Sequence, residues 1–203
     1  MLHPYRSSIS LEVSPMDKQA LHALLPTLRA DIHWPEAYHP RNAPLCARNE
    51  KVIPAPVSKV WAWLTYARRW PQWYANAQDV EFVIWPGPAL KAGSVFKWST
   101  FGFRLTSTVH DFEFEKRLGW VARAEGVMAY HTWYLHPLSA TQTLVITDET
   151  QISTLGIWAT DRFTQGLIDQ HEIWLEALSQ KAQSGLSPDD DDDSSPDTAL
   201  MYS

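Results

Sequence analysis

Residues 52–74 read Val-Ile-Pro-Ala-Pro-Val-Ser-Lys-Val-Trp-Ala-Trp-Leu-Thr-Tyr-Ala-Arg-Arg-Trp-Pro-Gln-Trp-Tyr. The stretch ends a strand, opens a helix and closes on a Trp-Pro-x-Trp turn. Pro54 and Pro56 cannot continue a central strand, because proline has no N–H to give to a ladder. Pro56 suits the first helical position, where a fixed φ and a missing donor cost nothing. Val57, Val60, Trp61 and Leu64 then recur at helical spacing, so two short helices are expected from about 57 to 75. Trp61, Trp63, Trp70 and Trp73 either anchor these helices or gate the mouth of an interior space. The whole segment reads as one wall of a container.

Downstream, strands are expected near 78–85, 93–101, 104–113, 117–125, 128–136 and 143–153. Turn signals such as Pro86-Gly87-Pro88, Phe101-Gly102-Phe103 and Ser139-Ala140 separate them. With the strand near 45–53 they make an antiparallel, meander-type sheet, since the spacing leaves little room for crossovers. From about Ile157 to Ala182 a long helical pattern puts Phe163, Leu167, His171, Trp174, Leu175 and Leu178 on one side. A sheet with one apolar face and one long amphipathic helix gives an α+β layer in which the sheet wraps around the helix.

Upstream, residues 1–16 read as a loose arm. A helical stripe follows from Asp17 to Ala30, ended or kinked by Pro26, and residues 31–44 form an extended connector. This N-terminal part, 1–41, is too short for a core of its own and is expected to pack on the main domain, 42–183. The Ser-, Pro- and Asp-rich tail, 184–203, is expected to be disordered, with Asp189 to Asp193 as a solubilising run.

Strand alternation assigns the faces. Leu118, Trp120, Ala122 and Ala124 point inward, opposite Arg117, Gly119, Val121 and Arg123. Phe96 and Trp98 point in and Lys97 out, while Leu105, Ser107 and Val109 oppose Arg104, Thr106, Thr108 and His110. With a loop centred on Ala140, Leu135 faces Val145, Trp133 faces Thr147 and His131 faces Glu149. A slip of two residues would set His131 against Thr147 instead. His171 lies four residues after Leu167 and three before Trp174, so it should face the sheet.

The Ala-Pro, Val-Trp and Trp-Pro-x-Trp elements of residues 52–74 resemble the START-like helix-grip (SRPBCC) superfamily, in its polyketide cyclase/dehydratase-like branch. Tyr130 to Trp133, Thr147 to Thr150 and His171 to Leu175 are similar to its Tyr-His-x-Trp strand, Thr-x-Glu-Thr strand and His-x-x-Trp-Leu helix. Thr100 to Gly102, Asp31 to Trp34 and Asn49-Glu50 also look like that subgroup. The resemblance spans roughly 42–183. It implies a helix-grip fold, a curved sheet of about six to seven strands around the C-terminal helix, and a cavity for a hydrophobic or aromatic small molecule.

Composition narrows the partners. In 203 residues the chain holds 11 Trp and 45 % hydrophobic residues, ample for an aromatic core or a ring-lined cavity. The net charge of −6 comes partly from the aspartate run, and no basic cluster is present to neutralise phosphates, so nucleic acid is an unexpected partner. Cys46 is the single cysteine, which excludes an internal disulfide and makes a cytoplasmic location the default. No signal-like apolar core and no run of about 18 apolar residues occur, so no membrane span is expected. The protein is read as a monomer or homodimer.

No Gly-rich phosphate loop, nucleophile elbow or cysteine nucleophile signature occurs. His131, Glu149 and His171 are the candidate catalytic groups: either a self-satisfied hydrogen-bonded pair within the sheet, or a general acid–base set in an apolar pocket. Phe96, Trp98, Ser107, Trp120, Trp133, Thr147 and Trp174 are the candidate ligand-binding residues, with Ser107 able to orient a carbonyl or hydroxyl. Two imidazoles and a carboxylate suit iron or zinc, but no His-x-x-x-His spacing supports a metal, and neither metal nor other cofactor is assigned. The function expected is binding, with a cyclisation or dehydration of the kind the resemblance implies. The alternatives are a non-catalytic lipid or small-ligand carrier or sensor, and an interaction module like the chaperone activators of that superfamily, with a filled core and an exposed apolar patch.

Overall fold

The computed structural model describes residues 18–152 and 161–190. Residues 18–31 belong to one compact unit and the chain from Ile32 onward to another. In the first, helix α1, Lys18–Ala30, runs through Pro26 rather than ending there. Proline's fixed φ is itself helical, so the ring removes one intrahelical hydrogen bond without forcing the chain out of the helix.

The second unit begins with a 3-10 turn, Glu36–Tyr38. Strand β1, Leu45–Ile53, follows. Helix α2, Val57–Thr65, starts one residue after Pro56, whose carbonyl accepts from Lys59 and Val60 N–H. A 3-10 turn at Ala67–Arg69 leads into α3, Trp70–Trp73, which is the Trp-Pro-x-Trp motif. The remaining strands are β2 (Gln78–Ile84), β3 (Val95–Thr100), β4 (Phe103–Glu113), β5 (Arg117–Ala124), β6 (Val127–Ser139) and β7 (Gln142–Gln151). Helix α4, Asp161–Gln183, closes the fold. The strand expected to reach 153 and the helix expected from 157 extend into positions outside the described residues.

All seven strands form one antiparallel sheet in the order β1-β7-β6-β5-β4-β3-β2. Strands β2 to β7 are a plain meander, and β1 joins the far side of the last strand. That order makes Asn49 of β1 a neighbour of Thr147 of β7. The β6–β7 register pairs Leu135 with Val145, Trp133 with Thr147 and His131 with Glu149.

The inner face of the sheet, α2, α3 and α4 enclose one core, in which Trp63, Trp70, Trp120, Trp133 and Trp174 are among the largest fully buried side chains. Trp70 is its hub. Its ring lies 5.2 Å from Trp174, 5.5 Å from Trp98, 5.7 Å from Trp120 and 5.9 Å from Phe96, and its Nε1–H donates to the Leu64 carbonyl at 3.0 Å. The short helices thus bury enough surface to hold, because their tryptophans reach across to the sheet and α4.

On the other face, Tyr130 is capped by Trp34 and Tyr38, at 5.5 and 6.0 Å between ring centroids. Its hydroxyl donates to the His33 carbonyl, and Thr150 Oγ1 donates to the Tyr38 carbonyl. Gly119 makes room for this ring, since a Cβ there would come within 2.9 Å of Tyr130 Cζ. Beyond α4, residues 184–190, expected to be disordered, form turns in which Ser187 hydroxyl donates to Asp190 and Tyr66 hydroxyl to Asp189. The rest of the tail lies outside the described residues. Among the described residues no helix is long and apolar enough to cross a membrane.

Candidate functional site

Where β6 and β7 pass beneath α4, three ionisable side chains converge. His131 Nδ1 lies 3.3 Å, and His171 Nε2 3.4 Å, from the same oxygen of Glu149, Oε2. The His171 approach lacks the alignment of a hydrogen bond. The two imidazoles are 4.7 Å apart by ring centroid. All three residues are buried. The strand register sets His131 and Glu149 side by side, and the helical spacing of His171 brings it down on them from α4.

Each group is held from behind. His131 Nε2 is 2.7 Å from Thr147 Oγ1, and His171 Nδ1 is 3.2 Å from Asn49 Oδ1. The other carboxylate oxygen, Glu149 Oε1, accepts from Gln151 Nε2 at 2.7 Å. Asn49 is oriented by its own amide, which donates to the Ile168 carbonyl at 3.1 Å and to Glu172 Oε1 at 2.8 Å. Its Oδ1 therefore faces His171 as an acceptor, and His171 carries its proton on Nδ1.

Burial holds the His131 imidazole far below its ordinary proton affinity, to about 3, with the charge of His171 acting the same way and Glu149 opposing. Burial alone would raise Glu149. The nearness of His171 and His131, together with the Gln151 amide, reverses this and holds its carboxyl below the usual range. A neutral imidazole beside a carboxylate is a proton acceptor in a dry setting.

This polar cluster opens onto a cavity of about 40 Å³, whose other walls include Tyr74, Trp98, Phe101, Phe103, Leu105, Trp120, Phe163 and Trp174. By volume that is room for roughly three waters. Thr100 also lines it. Its hydroxyl and the Nε1–H groups of Trp120 and Trp174 are buried with no hydrogen-bond partner among the described residues.

His131, Glu149, His171, Trp98, Trp120 and Trp174 line the cavity, as the alternation and helical spacing place them. Phe96, Ser107, Trp133 and Thr147, chosen on the same grounds, are absent from its walls. The physical reasons differ. Ser107 hydroxyl accepts from Trp98 Nε1 at 3.0 Å and is not turned to a ligand. Trp133 stacks behind His131 at 5.3 Å, and Phe96 packs on Trp70 and Trp120. Thr147 reaches the site only through His131. Trp61, Trp63, Trp70 and Trp73 also lie off the cavity walls, the first three within the core and Trp73 packed against it. Asn49, noted in the sequence only within the Asn49-Glu50 resemblance, and Gln151, not noted at all, orient the polar groups, and neither was among the candidate site residues. A polar residue on the inward face of a strand, in phase with Glu149 or its β1 neighbours, was the available signal.

No protein-family model matches the sequence, and no curated protein matches it. Solved structures do. A hypothetical protein from Helicobacter pylori is 24 % identical, over 75 % of this chain and 96 % of its own, with a TM-score of 0.69. A START superfamily protein from Mycobacterium smegmatis is 10 % identical, over 68 % and 96 %, with a TM-score of 0.58. Norcoclaurine synthase from Thalictrum flavum, in complex with dopamine and hydroxybenzaldehyde, is 12 % identical, over 70 % and 88 %, with a TM-score of 0.55. With its seven-stranded sheet curved around a long C-terminal helix and its short helices after the first strand, this chain has the START-like helix-grip fold.

Proposed function

We propose that the protein binds a small, largely apolar aromatic molecule bearing an oxygen, with its rings among Trp98, Trp120 and Trp174 and its oxygen at the His131–Glu149–His171 end. The observation that carries this is the placing of three buried ionisable groups on a largely apolar, aromatic-rich cavity. Filling a core needs no such groups, and burying them is costly unless they have work to do. The unpartnered donors of Trp120, Trp174 and Thr100 ask for an acceptor, which a carbonyl or phenolic oxygen supplies. The aromatic ligands named for norcoclaurine synthase, which shares the fold, suit the same chemistry.

The cavity volume limits the occupant. At about 40 Å³ it admits no ring unless the phenylalanines Phe101, Phe103 and Phe163 move, so entry is coupled to a local opening. For an acidic C–H or hydroxyl placed at the polar end, His131 is the proton acceptor and Glu149 the group that stabilises the imidazolium formed. That is the proton traffic of a cyclisation or dehydration, in keeping with the polyketide cyclase/dehydratase-like resemblance.

Hydroxybenzaldehyde is a suitable first probe. Binding should quench tryptophan fluorescence saturably and shift the ring resonances of His131 and His171. Glu149→Gln should weaken it, whereas a Ser107→Ala change should not. Probes that bind without touching the histidine resonances would show that the polar end is only structural. A carrier differs from an enzyme in returning the ligand unchanged.

A further inference from the structure

We propose that Glu149 Oε2, His131 Nδ1 and His171 Nε2 form a binding site for a divalent first-row transition-metal ion, open toward the cavity. The inference deepens the reading of the cavity's polar end, but it rests on side-chain placement alone and needs no organic ligand.

Three observations converge. First, one ligand atom from each residue lies within 4.8 Å of the other two. The two nitrogens are 3.3 and 3.4 Å from the shared oxygen, which for bonds of about 2.1 Å subtends roughly 105° at an ion, and the nitrogens themselves, within 4.8 Å of each other, need come no closer than about 4 Å to share it. Second, every ligand is backed on its far side. Metal-bound histidines usually give their other N–H to an oxygen, and here His171 Nδ1 meets Asn49 Oδ1 while His131 Nε2 meets Thr147 Oγ1. The Gln151 amide takes Glu149 Oε1, leaving Oε2 turned to the histidines.

Third, with Asn49 Oδ1 facing Nδ1, the nitrogen that His171 turns to the carboxylate is Nε2, buried, 3.4 Å from Oε2 and outside hydrogen-bond alignment. A cation held between that nitrogen and the carboxylate oxygen satisfies both in a dry site. Two imidazoles and one carboxylate suit zinc or ferrous iron, with the remaining coordination positions turned to the cavity. The cation would then be the anchor that the oxygen of a cavity ligand meets.

The test uses the full chain, stripped by a chelator and returned to metal-free buffer, then titrated with Co2+ and separately with Zn2+. One Co2+ per chain should bind, with the visible d–d bands of a low-coordinate nitrogen–oxygen site, and Zn2+ should displace it. In the wild type, the His131 and His171 ring resonances should be the ones broadened by Co2+. Glu149→Gln and His171→Gln should abolish the d–d bands, and Asn49→Ala, which loosens His171 from behind, should weaken binding by about 10–100-fold.

Folding of each variant is checked by circular dichroism, and the wild-type resonances decide the matter if a variant does not fold. Folded wild type that takes up neither ion at concentrations on the order of micromolar overturns the proposal, and a proton then bridges Glu149 and the imidazoles. Uptake that leaves the His131 and His171 resonances untouched overturns it too. Hydroxybenzaldehyde binding is measured separately in chelator, so that failure of metal uptake and failure of the cavity reading are told apart.

Discussion

Replacing Asn49 with alanine tests how the polar centre is held. Asn49 sits on β1 and ties that strand to α4 through three hydrogen bonds, two donated by its amide and one accepted from His171. They are unequal. Glu172 is exposed, so its carboxylate regains water when Asn49 is lost, and Ile168, within α4, has a carbonyl that still serves its own helix. His171 has no such recourse. It is 1 % exposed, and its Nδ1–H would be left without an acceptor. An orphaned buried donor costs about 1–3 kcal/mol and a lost net hydrogen bond about 0.5–1.5 kcal/mol, so Asn49→Ala should destabilise by roughly 2–3 kcal/mol.

Urea unfolding at neutral pH measures it, with an unchanged m-value showing that the two states keep their compactness. Combining Asn49→Ala with His171→Leu should be non-additive by about 1–2 kcal/mol, because the second change removes the orphan that the first creates. A loss below about 0.5 kcal/mol for Asn49→Ala, or strict additivity, would refute the reasoning.

Three further outcomes are expected. Gly119→Ala should cost about 1–3 kcal/mol, since the new Cβ drives Tyr130 from beneath Trp34 and Tyr38, and a stability within error of wild type would contradict that packing. Burial holds Tyr74 and Tyr130 well above the ordinary phenol range, with the charge of Glu149 adding to Tyr74 and that of Asp111 to Tyr130. The folded state then keeps protons that the unfolded state releases above about pH 10, so stability falls as pH rises beyond that value, and ultraviolet titration should show Tyr74 and Tyr130 ionising only with unfolding. Ser107→Ala should lower stability by about 1–2 kcal/mol by orphaning Trp98 Nε1 while leaving probe affinity within about twofold, and a larger affinity change would put Ser107 back in the site.

Much of the architecture was legible in the sequence. The strand ending at Ile53, the helix after Pro56 and the pairing of His131 with Glu149 all follow from proline chemistry, alternation and one loop position, which are local signals. Depth is not local. Alternation puts Phe96, Trp98 and Trp133 on the inner face without saying which of them stops at the cavity and which lies in the layer behind it. That depends on Trp70, which arrives from α3 and fills the space beside Phe96. The polar cluster was half legible for a similar reason. His131, Glu149 and His171 come from three elements, so no spacing motif joins them, and Asn49 enters only because β1 pairs with the last strand and lies under α4. At Pro26 the sequence left ending or kinking open, and α1 does not end there, because a proline's fixed φ is compatible with a helix and termination is left to the neighbours.

Whether the cavity receives a small aromatic molecule at its polar end is decided by native mass spectrometry of the protein purified from its own host, compared with the denatured mass and followed by solvent extraction of what is released. An added mass that disappears on denaturation and an extract containing an aromatic, oxygen-bearing compound are expected, with the addition lost in Glu149→Gln. A clean mass from the host, together with no shift in melting temperature across a panel of phenolic and aromatic carbonyl compounds, would contradict it.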